Sequence, residues 1–232
     1  MTLRFEGVSR IYQQGEQMIR ALDEVNLELG EGEFVALAGP SGSGKTTLLN
    51  IAAGLDRPTQ GTVWVGEQEL TRMTRRRLAQ LRLEEIGFVF QAHNLVPVLT
   101  AEENTEFILL LRGVPPRERR VNVRAILKEV GLEGMENRKP AELSGGQQQR
   151  VAVARAIAAE PDLVLADEPT ANLDSKTAFA LLDLMEKLNR EHRTTFLFST
   201  HDPRVMKRAR RIIQLVDGRI EKDSPVVGAV LE

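Results

Sequence analysis

Unbroken apolar runs of strand length alternate with helix-length segments along most of the chain. FVALAG (Phe34–Gly39) and LVLAD (Leu163–Asp167) are two such runs, and TTFLFST (Thr194–Thr200) is a third. Strands apolar at every position belong to parallel sheets covered on both faces. Gly61–Val65 and Ile86–Phe90 are further strand candidates. Helices are predicted over Lys45–Ala53 and about Ser175–His192, with a short one after Pro203. The first thirty residues alternate around a polar break at Gln13–Gln17 and predict an antiparallel hairpin. Arg211–Val216 and Arg219–Lys222 predict another, turning at Asp217-Gly218.

The pattern changes at about Ala92. Thr100-Ala-Glu-Glu103 is a capping box that opens a helix running to about Arg112. Pro115-Pro116 interrupts, a second helix covers Arg117–Val130, and a third begins at Ser144. The expected organisation is an α/β core with an antiparallel β subdomain, residues 1–91 and 160–224, interrupted by a helical subdomain over 92–159. The 232 residues suit one such domain.

Composition narrows the function classes. The net charge of −2 gives no overall attraction to nucleic acid, so none is expected as a partner. The basic runs Arg75-Arg76-Arg77 and Lys207-Arg208 with Arg210-Arg211 are read as solvated helix faces. Cysteine is absent, which excludes disulfides, thiolate catalysis and cysteine zinc sites. The N-terminus lacks a signal-peptide pattern, and no apolar run approaches the roughly 20 residues of a membrane helix. A cytoplasmic protein is expected. The terminal Leu231-Glu232 carries no weight in this reading.

GPSGSGKT (Gly39, Pro40, Ser41, Gly42, Ser43, Gly44, Lys45, Thr46) fits G-x-x-x-x-G-K-[ST] and lies between a predicted buried strand and a predicted helix. Gly39, Gly42 and Gly44 let the backbone curl so that N–H groups converge on phosphate oxygens. Lys45 supplies a compact positive charge, and the Thr46 hydroxyl is a hard ligand for Mg²⁺. The motif predicts a nucleoside triphosphate site that extends to Thr47.

Other groups are expected at the carboxyl ends of the strands, where open α/β sheets bind ligands. Asp167 suits Mg²⁺, usually through water. Glu168 can orient or deprotonate the attacking water. His201 follows FLFST and suits a γ-phosphate contact or a partner that holds Glu168. His93 and His192 are read as structural. Gln91 ends its strand with an amide able to touch both Mg²⁺ and water. Tyr12, the sole tyrosine, either stacks on a purine or packs within the hairpin. Ser144-Gly145-Gly146-Gln147 opens the third helix with bare N–H groups, a second place for an anion.

GPSGSGKT, Gln91, LSGGQ (Leu143–Gln147), LVLADE, ANLD (Ala171–Asp174) and His201 stand in the order found in ABC-type ATPase subunits, which the chain resembles over nearly its whole length. The resemblance implies a P-loop NTPase with a RecA-like core. It makes Glu168 the catalytic carboxylate, His201 the switch histidine, Tyr12 the adenine-stacking aromatic and LSGGQ the family signature. It also implies that Ser144–Gly146 cover the γ-phosphate on a second copy, so that a head-to-tail homodimer sandwiches two ATP with Mg²⁺. IGFVFQAHNLVPVLTAEEN and the basic helix before it resemble the branch serving lipoprotein release, macrolide or peptide export and cell-division signalling. Members of that branch pair with an integral membrane permease subunit bearing a periplasmic domain, so a peripheral place on the cytoplasmic face of the inner membrane is expected. No regulatory C-terminal domain is expected after the last hairpin. A non-transport ATPase, in iron–sulfur assembly or cell-division signalling, is the alternative.

Overall fold

Two sheets organise the chain, and the hydrophobic pattern decides which face of each is covered. The structure, a computed structural model, describes residues 1–226; Leu231-Glu232 lies outside them. Strands β1 (Leu3–Gln14) and β2 (Gln17–Leu29) form the predicted hairpin, paired from Gln14↔Gln17 to Leu3↔Leu29. Along β2 the inward residues Leu22, Val25, Leu27 and Leu29 are buried, while Asn26 and Glu28 between them are exposed. With β4 (Gln60–Val65) and β5 (Gln68–Glu69) the hairpin makes an antiparallel sheet of order β2-β1-β4-β5.

The second sheet runs β10-β9-β3-β8-β7-β6. Its strands β3 (Phe34–Ala38), β6 (Ile86–Val89), β7 (Leu163–Ala166), β8 (Thr195–Thr200) and β9 (Arg211–Val216) are parallel. The edge strand β10 (Arg219–Pro225) returns antiparallel. Every residue of β3, β7 and β8 is buried, as continuous apolar runs require. Alternate side chains serve opposite layers. Val35, Leu37, Leu165 and Leu197 pack toward the antiparallel sheet with α1 (Lys45–Ala52) and α2 (Arg75–Glu85). Phe34, Ala36, Val164, Phe196 and Phe198 pack toward the other helices.

Those helices are α3 (Ala101–Leu111), α4 (Pro116–Glu129), α5 (Gly145–Ile157), α6 (Ser175–His192) and the short α7 (Pro203–Met206). Thr100 and Glu103 close the predicted capping box of α3. Asp174 caps α6 through the N–H groups of Lys176 and Thr177. One helix, α5, packs against both the other helices and the sheet. Val151–Ala154 of α5 are all fully buried, in a cluster that includes Leu109 of α3, Leu127 of α4 and Val164 and Phe196 of the sheet. Four successive buried residues cover every side of one helical turn, so at this turn α5 joins the helical segment to the sheet.

Candidate nucleotide site

The carboxyl ends of β3, β6, β7 and β8 bring the singled-out groups to one edge, the ligand edge of an open parallel sheet. A cavity of about 600 Å³ opens there. Pro40, Ser41, Gly42, Gly44, Lys45, Thr46 and Thr47 line one side; Gln91, Glu168 and His201 line the other. Ala21 of β2 completes the wall, so the hairpin sheet closes onto the phosphate loop. Gly44 sits at φ 103, and a Cβ there would overlap the Ala21 carbonyl oxygen. Only glycine allows both the turn and the approach.

Lys45 is buried, and its Nζ donates to the carbonyl oxygens of Gly39 at 2.8 Å and Pro40 at 2.9 Å. No acidic residue occupies the first turn of α1, which leaves the positive end of its dipole for an anion. Gly39 and Ser43 stand outside the lining. Gly39 packs against the Ser43 hydroxyl and the Leu215 carbonyl, and the buried Ser43 Oγ has no partner among the described residues.

Asp167 and Glu168 are fixed by a hydroxyl that the sequence reading passed over. Ser199 Oγ donates to Asp167 Oδ1 at 2.7 Å and accepts from the Glu168 N–H at 2.8 Å. Asp167 N–H donates to the Val89 carbonyl at 2.9 Å. Glu168 sits at φ 46, a left-handed conformation unusual for a residue with a side chain, which these bonds hold in place. Its Oε1 lies 2.9 Å from His201 Nδ1; the carboxylate is 15% exposed and the imidazole 67%. Asp167 stands outside the cavity lining. Ser199 was legible in principle, as a fully buried polar residue inside FLFST. Ser199→Ala is expected to lower stability by about 1–3 kcal/mol, the cost of unpartnered buried groups. It should also depress kcat more than it raises KM. Urea midpoints and steady-state phosphate release check this.

The donors suit Mg²⁺. Thr46 and Gln91 face the cavity, and the described residues contain no cluster of three His, Cys, Asp or Glu that could cage a metal. Hydroxyl, amide, phosphate and water oxygens are what Mg²⁺ selects. The Gln91 carbonyl is held by Asn172 Nδ2 at 3.2 Å, which ties ANLD to the same edge. Tyr12 lies outside the cavity lining. The Arg10 guanidinium covers one ring face, with its carbon 4.4 Å from the centroid, and the hydroxyl donates to Asp56 Oδ2 at 2.7 Å.

Ser144–Gln147 do not reach this cavity. Ser144 and Gly145 are exposed at the tip of α5, where a capping box forms. Gln147 N–H donates to Ser144 Oγ at 3.3 Å, and Ser144 N–H donates to Gln147 Oε1 at 2.9 Å. A Cβ on Gly146 would overlap the Thr177 side chain.

Residues 22–171, which span the phosphate loop, Gln91, the α5 tip and the acidic pair, match the ABC transporter family. The chain belongs to that family. It is similar to the lipoprotein-releasing system ATP-binding protein LolD of Chromohalobacter salexigens, 45% identical over 96% of this chain and 94% of LolD. It is also 45% identical, over 95% of its length, to the macrolide export ATP-binding/permease protein MacB 1/2 of Paracoccus denitrificans. The chain spans only 33% of that longer relative. Two dimeric structures of the ATP-binding cassette MJ0796, one bound to ADP and Pi, superpose with TM-score 0.90 at 45% identity, covering 97% of this chain and 99% of that one. The protein is thus an ABC transporter ATP-binding subunit, an ATPase of the P-loop NTPase fold.

The ABC subunit has a second, apolar groove of about 370 Å³ between α2, β6, α3 and α5. Phe88, Phe90, Phe107 and Leu111 line it, with Phe107 and Leu111 exposed. Arg82 and Arg155 enter its wall and donate only to backbone carbonyls: Gly54 for Arg82, and His93 and Asn94 for Arg155. Burial lowers the pKa of both guanidiniums and of the His93 ring. His192 bonds Glu129 on α4, away from the cavity. Among the described residues, no helix of the ABC subunit is long and apolar enough to cross a membrane.

Proposed function

We propose that this chain is the cytoplasmic motor of a transporter, dimerising head to tail on ATP and Mg²⁺ and driving a separate integral membrane permease subunit that bears a periplasmic domain. The observation that carries the reading is the place of the Ser144 tip, which is exposed, preorganised and outside the nucleotide cavity of its own chain. A nucleotide at Lys45 gains that tip only from another copy. Ser144 Oγ and the N–H groups of Gly145 and Gly146 then favour the charge of a γ-phosphate, with the helix dipole adding to them.

Within the site each group has a task. Lys45 and the loop N–H groups hold the β- and γ-phosphates, and Tyr12 stacks on adenine through the ring face opposite Arg10. Thr46 and Gln91, with Asp167 through water, would hold Mg²⁺, which when bound neutralises phosphate charge. Glu168 accepts a proton from the attacking water, and His201 keeps its carboxylate aimed. Loss of the γ-phosphate removes the attraction at the α5 tip, so the dimer opens; turnover shifts a population between closed and open pairs.

Gln91 and the segment Ala92–Glu103 relay this change toward the apolar groove. Phe90 and Asn94 connect the two places, because both line the groove next to the strand end that carries Gln91. An exposed aromatic groove of this kind suits a partner protein. The likeness to LolD and MacB supports lipoprotein release or export of a macrolide or peptide as the work done, at the cytoplasmic face of the inner membrane.

The absence of cysteine gives a clean test of the dimer. Ser41→Cys and Ser144→Cys are introduced in one chain together with Glu168→Gln to stop turnover. Intermolecular crosslinks between the two positions are expected with ATP and Mg²⁺ and should be lost with ADP. If no crosslink forms with ATP at any reagent length, the head-to-tail reading fails.

A further inference from the structure

Asp56 is half-buried and collects four donors. Tyr12 Oη donates at 2.7 Å, Arg10 Nε at 3.0 Å, Arg10 Nη2 at 2.9 Å and the Arg57 N–H at 2.7 Å. One carboxylate therefore fixes both the phenol of Tyr12 and the guanidinium that lies over its ring. The loop carrying Asp56 is itself fastened to β1. Thr59 N–H donates to the Ser9 carbonyl at 2.8 Å, and Ile11 N–H donates to Thr59 Oγ1 at 3.0 Å.

The same loop leaves the end of α1, the helix whose first residues line the phosphate side of the cavity. An eight-residue helix is about 12 Å long. One element thus carries Lys45, Thr46 and Thr47 of the cavity at its start and, just past its end, the anchor for the aromatic. We propose that Asp56 is a positioning residue for the purine platform: it fixes the tilt of the Tyr12 ring relative to the phosphate loop, and so sets how much of the affinity for ATP comes from the base. The inference rests on the reading of Tyr12 as the adenine-stacking residue.

The alternative is that Asp56 only fastens the hairpin to the core. The two roles differ in what they do to a ligand without a base. Tyr12→Phe keeps a ring that can stack but removes its tie to Asp56; Asp56→Ala removes the tie from the other side. Each is expected to weaken ATP binding by about 3–10-fold, a fraction of the base–aromatic stack that the tie positions. Inorganic tripolyphosphate, titrated into the same proteins, should bind as it does to the unaltered chain. The double variant should be little worse than either single one, because the two changes break one interaction.

Tyr12→Ala separates this inference from the reading beneath it. It is expected to weaken ATP binding by about 10–100-fold, the range for a lost base–aromatic stack, again sparing tripolyphosphate. Unchanged ATP affinity in Tyr12→Ala would overturn the stacking reading itself. A weakened Tyr12→Ala beside unaffected Tyr12→Phe and Asp56→Ala proteins would overturn the role of Asp56 alone. Equal losses of ATP and tripolyphosphate affinity in Tyr12→Phe or Asp56→Ala would do the same, by showing a fold-wide effect.

Discussion

Glu168→Gln is expected to bind ATP about as tightly as the unaltered chain and to hydrolyse it about 10²–10⁴-fold more slowly, the range lost with a general base. The amide has nearly the shape of the carboxylate, so the contact with His201 and the backbone bond to Ser199 can persist. It cannot accept the proton of water. Binding and chemistry should therefore separate, and ATP that is held without being consumed should keep two copies together. Phosphate release under saturating ATP measures the first effect, and a shift to dimer on a sizing column with ATP measures the second. Full turnover in this variant would remove Glu168 from its assigned role.

Lys45→Met carries the other large effect. The ammonium is buried and bonded only to the loop's own Gly39 and Pro40 carbonyls, so a bound triphosphate would give it the opposite charge the site lacks. Methionine fills a similar volume and keeps the stem packed, but offers no charge. Each charge-assisted hydrogen bond is worth about 1.5–3 kcal/mol, so losing contacts to two phosphates should weaken ATP by at least about 10²-fold. ADP, which lacks one of those phosphates, should lose less. Calorimetric titration with both nucleotides checks the difference. An ATP affinity equal to that of the unaltered chain would mean that the loop is not the site.

The elements most visible in the sequence are those whose signals are local. Helix α6 spans Ser175–His192 as predicted, because Asp174 caps it and its apolar positions recur at helical spacing. The hairpin of β9 and β10 turns at Asp217-Gly218, as that dipeptide dictates. What stayed hidden depends on the packing of distant segments. Sheet order places β3 between β8 and β9, and nothing in any one strand records its neighbours. The buried turn of α5 serves two layers at once, which its own sequence does not record.

The site divides in the same way. Lys45, Thr46, Gln91, Glu168 and His201 were visible because each ends a strand or opens a helix at the ligand edge, and the structure gathers all five around one cavity. Ser199 was passed over because a lone hydroxyl in an apolar strand looks like a tolerated exception until its two partners are seen. Asp56 was passed over because its contact with Tyr12 joins residues 44 positions apart. The reach of Ser144 to a second copy is not a property of the single chain at all.

The reciprocal bonds between Ser144 and Gln147 bear on how the resting molecule behaves. At that corner of α5 the two residues answer each other's N–H, and the N–H groups of the exposed Gly145 and its neighbour Gly146 are left to water. Separated copies therefore suffer nothing from being apart, and a solution of this protein without nucleotide should hold well-behaved singletons. Association is left to the visiting molecule, which acts as both fuel and glue.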